Sequence, residues 1–242
     1  MHMGGSALHL AAQMVLSKAR TVAAHLLQAE AGEVSFSAGH FTVAGSERGI
    51  DLLALAEAAR DAANLPANWP AGMAPGLDAD AYNDSDVITF PNGCHTAEVE
   101  IDLETGAVTL ERYVAIDDYG RLINPMLTTG QVQGGVAQGV GQALLEHTVY
   151  DGQSGQLLSG SFTDYTLPRA DDLPPLDITL AELPTAVNQL GVKGAGQAGC
   201  MAAPQTVINA ILDALAPLGI AHIDMPATPE RVWRAIQGAQ HD

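Results

Sequence analysis

The chain has 242 residues, 47% of them hydrophobic, enough to bury a sizeable core in one large domain or two modest ones. Ten basic residues face twenty-eight acidic ones, a formal charge of −18, so the mean field repels phosphate and excludes nucleic acid and anionic membrane as partners. Cys94 and Cys200 are too far apart in sequence for a metal-spaced pair or disulfide framework, no apolar run reaches membrane-spanning length, and no basic stretch precedes Lys18; a reduced cytoplasmic protein with no Sec signal peptide and no membrane insertion is expected.

From about Ser6 to Glu30, apolar residues recur at three- and four-residue intervals, which predicts one long helix ended by Gly32. Glu33 to Val43 predicts a hairpin around Ser37-Ala38-Gly39, and Asp51 to Ala63 a second helix. Residues 64–92 carry Pro66, Pro70, Pro75 and Pro91, and are expected to form a linker or an irregular wrap. This divides the chain into 1–63, a helix-hairpin-helix part, the linker 64–92, and 93–242. From Thr96 to Tyr119, Ala97, Val99, Ile101 and Leu103 alternate with polar residues, Thr105-Gly106 turns the chain, and Val108, Leu110 and Tyr113 return it, the pattern of a β-hairpin. Short strands are expected near Leu145–Tyr150, Gln156–Ser161 and Leu176–Leu183. Pro204 suits the first turn of a helix burying Val207, Ile208, Ile211, Leu212 and Leu215, and a last helix begins near Thr228-Pro229-Glu230. Helices and antiparallel hairpins mixed in this way favour an α+β fold.

The most informative stretch is Gly130 to Leu144. Val132, Val136, Val140 and Leu144 line one side of a helix, yet Gly134, Gly135, Gly139 and Gly141 lie within it. Four interior glycines cost a helix about 3–4 kcal/mol relative to alanine. Two explanations stand: a tightly packed helix pair with small residues at the crossing, or a flat ligand pressed against bare backbone. Gln131, Gln133 and Gln138 add uncharged donors and acceptors to this surface. A second glycine cluster, Gly191 to Cys200, precedes the Pro204 helix. Gly194-Ala-Gly196-Gln-Ala-Gly199 satisfies G-x-G-x-x-G, with Asp224 as a candidate ribose-binding acid, so an NAD-dependent oxidoreductase is one reading. Against it, Pro184, Asn188, Gly191 and Lys193 do not make the buried strand that must precede such a loop.

Taken together, Asp117-Asp118-Tyr-Gly120, Ile123-Asn124-Pro125-Met126, Gly130-Gln131-Val-Gln-Gly134-Gly135 and Gln138-Gly139-Val-Gly141 resemble the run DDxGxxINPMxxxGQxxGGxxQGxG. That run marks the molybdenum-cofactor-binding large subunits of the xanthine oxidase and aldehyde oxidase family. Gly191 to Gly199 is similar to that family's K-G-x-G-E loop, and Asp224 to Arg234 to its closing helix. The segment order is most similar to the aerobic carbon monoxide dehydrogenase branch. The resemblance covers nearly the whole chain, but only the carboxy-terminal part of the family's large subunit.

The resemblance implies two α/β subdomains of the C-terminal molybdopterin-binding region. It implies a molybdenum oxidoreductase that hydroxylates an aldehyde, an N-heterocycle or a similar small-molecule substrate, or oxidises carbon monoxide, with water as the oxygen source. The implied cofactor is Mo-molybdopterin, as the cytosine dinucleotide, with molybdenum held by the pterin rather than by a protein side chain. FAD and a 2Fe-2S cluster would reside on partner subunits only. The implied partners are the N-terminal portion of the large subunit, an iron–sulfur subunit and an FAD subunit, and the chain alone would be inactive. It would be a piece of a split large subunit or a fragment.

By the same resemblance, Gln131 would hydrogen-bond beside the metal's ligands, and Gly134, Gly135, Gln138, Lys193, Gly194 and Gly196 would line the cofactor. Gln197 stands where the family has its general-base glutamate. An amide has no proton-accepting state near neutral pH, so a non-catalytic shell or assembly subunit of the same fold is an alternative. Glu146 and Asp164 are the nearby-in-motif carboxylates, both expected to be structural. His95, His147 and Cys200 are read as structural, and Asp117-Asp118 as shaping a turn.

Overall fold

A computed structural model of the chain describes residues 1–69 and 73–239; residues 70–72 of the proline-rich stretch, and 240–242, lie outside the described residues. The chain forms two compact units that divide between Asp86 and Val87. In the first unit, α1 runs His2–Leu26 and buries Ala19, Val22, Ala23 and Ala24 near its end. It stops six residues before Gly32. Gln28 adopts the left-handed conformation instead, with φ of 54°. Its N–H donates to His25 O and that of Ala29 to Ala24 O, the paired bonds of a Schellman cap. The Arg48 guanidinium donates to the Leu27 and Gln28 carbonyls, which offsets the cost of a non-glycine residue there.

Strands β1 (Val34–Ser37), β2 (His40–Val43) and β3 (Gly49–Asp51) form an antiparallel sheet in that order. The expected hairpin is β1–β2; β3 was not visible in the sequence, being too short to show a period. Asp51 ends β3 and caps α2 (Leu52–Ala58), its Oδ1 accepting from the Leu53 and Ala54 amides. The helix expected to reach Ala63 is therefore much shorter. Asp61 caps a separate 3-10 turn, Ala62–Asn64, because its side chain competes for the backbone N–H of Ala63. No helix or strand occurs among the described residues 73–91.

In the second unit, β4 (Asn92–Ile101) and β5 (Val108–Asp118) form the expected antiparallel hairpin, with a register shift between Glu98 and Val99; Leu103 lies beyond β4, in the turn, and is half-exposed. Then α3 (Pro125–Leu144) follows, capped by Asn124 Oδ1 on the Leu127 N–H. Its chain returns as β6 (Leu176–Ala181), parallel to β5, so the sheet β4-β5-β6 is mixed. Of the two earlier strands expected, only the Tyr150–Leu157 bridge forms. Asp151 holds the chain between them in a tight turn by accepting from the amides of Gln153 and Ser154.

Helix α4 spans Ala198–Leu215. It begins earlier than expected, which places Pro204 inside the helix. Its pyrrolidine ring lies against Gly139, where no side chain competes for the space. Helix α5 covers Pro229–Ala239. The stripe Val132, Val136, Val140 and Leu144 faces the core with Val207, Ile211, Val232 and Tyr113. The architecture is α+β, as the mixed pattern predicts.

Candidate functional site

Helices α3 and α4 lie against each other at bare backbone. A Cβ on Gly135 would sit 2.8 Å from Cys200 N, one on Gly139 2.5 Å from the Ala203 Cβ, and one on Gly199 2.6 Å from Val132 O. Moving four residues along α3 moves four residues along α4 in the same sense. The helices therefore run parallel, and both positive ends face one way. Gly135, Gly139 and Gly199 are spent on this crossing; small residues let the helix surfaces meet.

A different set stays open. Gly134, Gly194 and Gly196 have no neighbour within 4 Å of where a Cβ would stand. Gln131, Gly134 and Gln138, at i, i+3 and i+7, share an exposed face of α3. The two segments meet at one bond: Gln131 Nε2 donates to Gly196 O at 2.7 Å. Gln197, next in sequence, caps α4 at its N-terminus with an exposed side chain that makes no cap bond. The first backbone bond of α4 is Met201 N–H to Gln197 O, so the preceding amides are left for other acceptors.

Of the sequence-predicted site residues, the structure thus joins Gln131 to Gly196 at one end of the parallel pair, with Gly134, Gly194 and Gln197 adjoining them along the chain; Gln138 lies about two helical turns further along α3. Gly135 lies beneath them, in the helix crossing. Lys193 is turned inward: its ammonium pairs with the Asp118 carboxylate, the two side chains being 13% and 7% exposed. Glu146 accepts from Tyr165 OH at 2.6 Å beyond the far end of α3. That end is about 20 Å along the axis from Gln131, so Glu146 cannot act beside Gln197. Asp164 accepts from Ser161 OH.

Sequence reading missed a polar cluster beneath the loop. Asp117 and Asp118 end β5 with side chains on opposite faces, as strand alternation requires. His95 Nε2 lies 3.1 Å from both Asp117 oxygens, and its Nδ1 is 2.8 Å from Tyr113 OH. Tyr119 OH donates to Asp117 Oδ2 at 2.8 Å. Burial first, then the hydrogen bond to Asp117 and its charge, pushes the Tyr119 hydroxyl far up, and burial pushes Tyr113 up to about 12, so both stay protonated. Two consecutive acids at a strand end were the available signal.

Asp118 Oδ1 accepts from Gly120 N–H at 2.8 Å and Leu183 N–H at 3.1 Å. Burial raises its pKa, but Lys193 and these two amides outweigh it and hold the carboxyl below its ordinary 3.8. A depressed value means that Asp118 stabilises the fold above that ordinary value, and that the contribution is lost as pH falls through the lower folded value. Denaturant unfolding followed from about pH 5 to about pH 2 is expected to show this acid loss, and Asp118→Asn is expected to flatten it. An unchanged acid limb in the variant would assign the loss to other groups.

Among the described residues, no group of three or more His, Cys, Asp or Glu can hold a metal ion. The site end instead offers neutral amides, open glycine backbone and a helix N-terminus, a donor set suited to an anionic organic ligand. Residues 1–174 match the molybdopterin cofactor-binding domain model, and the chain belongs to that family. It is 37% identical to the nicotine 6-hydroxylase large subunit of Paenarthrobacter nicotinovorans over 97% of this chain and 28% of that one. It is 34% identical to the carbon monoxide dehydrogenase large chain of Hydrogenophaga pseudoflava over 96% of this chain and 28% of that one. The structure of reconstituted CO dehydrogenase from Oligotropha carboxidovorans superposes with a TM-score of 0.86 at 32% identity, covering 98% of this chain and 29% of that one. The chain spans under a third of the length of these relatives. No described helix is long and apolar enough to cross a membrane.

Proposed function

We propose that this chain forms one wall of the molybdopterin site of a molybdenum hydroxylase, closed on its other side by the N-terminal portion of a large subunit. The observation that carries this is the 2.7 Å bond from Gln131 Nε2 to Gly196 O, which joins two segments 65 residues apart around open glycine backbone. A pterin-held molybdenum, as the cytosine dinucleotide form, would supply oxidative hydroxylation of a small aldehyde or N-heterocycle, or oxidation of carbon monoxide. Gln131 spends one N–H on the loop and keeps its second N–H and Oε1 for the ligand. Gly134, Gly194 and Gly196 let a flat ligand reach the main chain, and the α4 N-terminus favours its negative charge. Gln138 extends the same amide face by about two helical turns. Iron–sulfur and FAD subunits complete the electron path in this reading; the complex is cytoplasmic, and the chain alone is inactive because a single wall does not pre-organise a cofactor.

Gln197 favours a second reading, a non-catalytic shell or assembly subunit, because its amide cannot accept a proton. An NAD-binding role has less support: the residues just before Gly194 form no strand, only the isolated bridge of Val192 to Gly120, whereas such a loop must follow a buried strand.

In the complex with its N-terminal companion, Gln131→Ala is expected to lower molybdenum and pterin content several-fold by elemental analysis and pterin fluorescence. The lost bond is worth only about 1 kcal/mol to the fold, so thermal unfolding should move little. A wild-type complex that holds no molybdenum when grown with the metal would sink the proposal.

A further inference from the structure

We infer that Asp118 is a positioning residue: its buried ion pair with Lys193 locks the root of the glycine loop, so that Gly196 O is delivered to Gln131. The inference rests on the molybdopterin reading for its consequence, though not for its geometry. Gly194 and Gly196 have nothing within 4 Å of where a Cβ would stand, and only the small side chain of Ala195 between them packs against the core. Such a segment has little side chain to hold it and a large conformational entropy to lose. It must be fixed at both ends. One end is the bond to Gln131.

The other end is built around Asp118. Lys193 N–H donates to Tyr119 O at 2.9 Å, and Arg121 N–H donates to Gly191 O at 2.8 Å, which stitches the loop root to the end of β5. Asn188 clamps Val192 from both sides, donating to its carbonyl and accepting from its amide. Above these backbone bonds, Asp118 gathers three segments at one carboxylate: the turn after β5 through Gly120, the exit from β6 through Leu183, and the loop root through Lys193. A charged pair this buried is held by its geometry. Removing either partner leaves an uncompensated charge that must find water or neutralise. The cheapest escape is for the loop root to swing outward, which carries Gly196 away from Gln131. Lys193 thus serves the site through Asp118 rather than through its own ammonium.

The test uses the complete large subunit. Asp118→Asn keeps an oxygen for the Gly120 and Leu183 amides but removes the charge; Lys193→Met removes the cation; Lys193→Arg keeps it. Hydrogen exchange at the Arg121, Val192 and Lys193 amides reads the loop root, and exchange at Val136 and Val140 reads the core. Asp118→Asn and Lys193→Met are each expected to speed loop-root exchange at least about tenfold with the core unchanged, and to lower molybdenum content several-fold. Lys193→Arg is expected to stay close to wild type on both readouts. Unchanged loop-root exchange in both neutralised variants would overturn the lock. Faster exchange with full molybdenum content would overturn its role in positioning. A wild-type protein without molybdenum would defeat the molybdopterin reading alone, and exchange would still decide the lock. If one neutralised variant loses core protection as well, the other carries the same comparison against Lys193→Arg.

Discussion

Replacing Gln197 by glutamate is expected to raise turnover of the assembled enzyme by about 10²–10⁴-fold, the usual worth of a positioned general base. The reason is local. Gln197 holds the N-cap of α4 with an exposed side chain and no cap bond, so a carboxylate of the same shape fits without displacing a partner. The positive end of α4 favours the ionised form, which keeps the new carboxylate able to accept a proton at neutral pH. Kinetics of the complex on a panel of aldehydes, N-heterocycles and carbon monoxide would measure the gain. The pH–rate profile should also acquire an acid limb from the new group. A wild-type enzyme already turning over at full rate, and slowed by Gln197→Glu, would show that this chain handles the proton without a carboxylate at position 197.

The largest effect on stability is expected at Gly139. In Gly139→Leu the new Cβ would stand 2.5 Å from the Ala203 Cβ and 2.8 Å from the Pro204 Cδ. Neither neighbour can yield: one belongs to the helix wall, the other to a ring fixed to the backbone. Overpacking of this kind costs about 3 kcal/mol or more, a large share of what holds a domain together. Gly134→Ala, five residues earlier on the same helix, meets nothing within 4 Å. It is expected to stabilise α3 by up to about 1 kcal/mol, the difference in helix propensity. Denaturant unfolding of the two variants should therefore move in opposite directions. Cofactor content separates fold from function: in this reading Gly134→Ala gives a more stable protein that loads less molybdopterin. Full loading in that variant would remove Gly134 from the cofactor surface, and a harmless Gly139→Leu would contradict the packing of α3 on α4.

The division of the glycines shows where sequence reading succeeds. The spacing of Val132, Val136, Val140 and Leu144 specified the buried face of α3, because a helix converts a period of four into one side. The run of glycines signalled close approach, and the helix-packing explanation holds at some of these residues while others stay open. Gly135 and Gly139 meet α4; Gly134 meets nothing in this chain. No local pattern separates adjacent glycines that differ only by a 100° turn around the axis. The end of α1 at Gln28, the early start of α4 and the shortness of α2 were misjudged for a related reason. The first and third were decided by a distant or competing partner, Arg48 and Asp61; in the second, Gly139 leaves the room in which the Pro204 ring sits.

By itself, the sequence determined the α+β class, the order of the main elements and the motifs of a molybdopterin-binding domain, because periodicity and spacing are properties of neighbours along the chain. The tertiary structure alone decided that Lys193 turns inward to Asp118, 75 residues away, and that Gln131 reaches Gly196, 65 residues away. A side chain's partner across such a separation is set by how the sheet and the helix pair bring backbones together, and burial then selects the pairing that leaves no charge uncompensated.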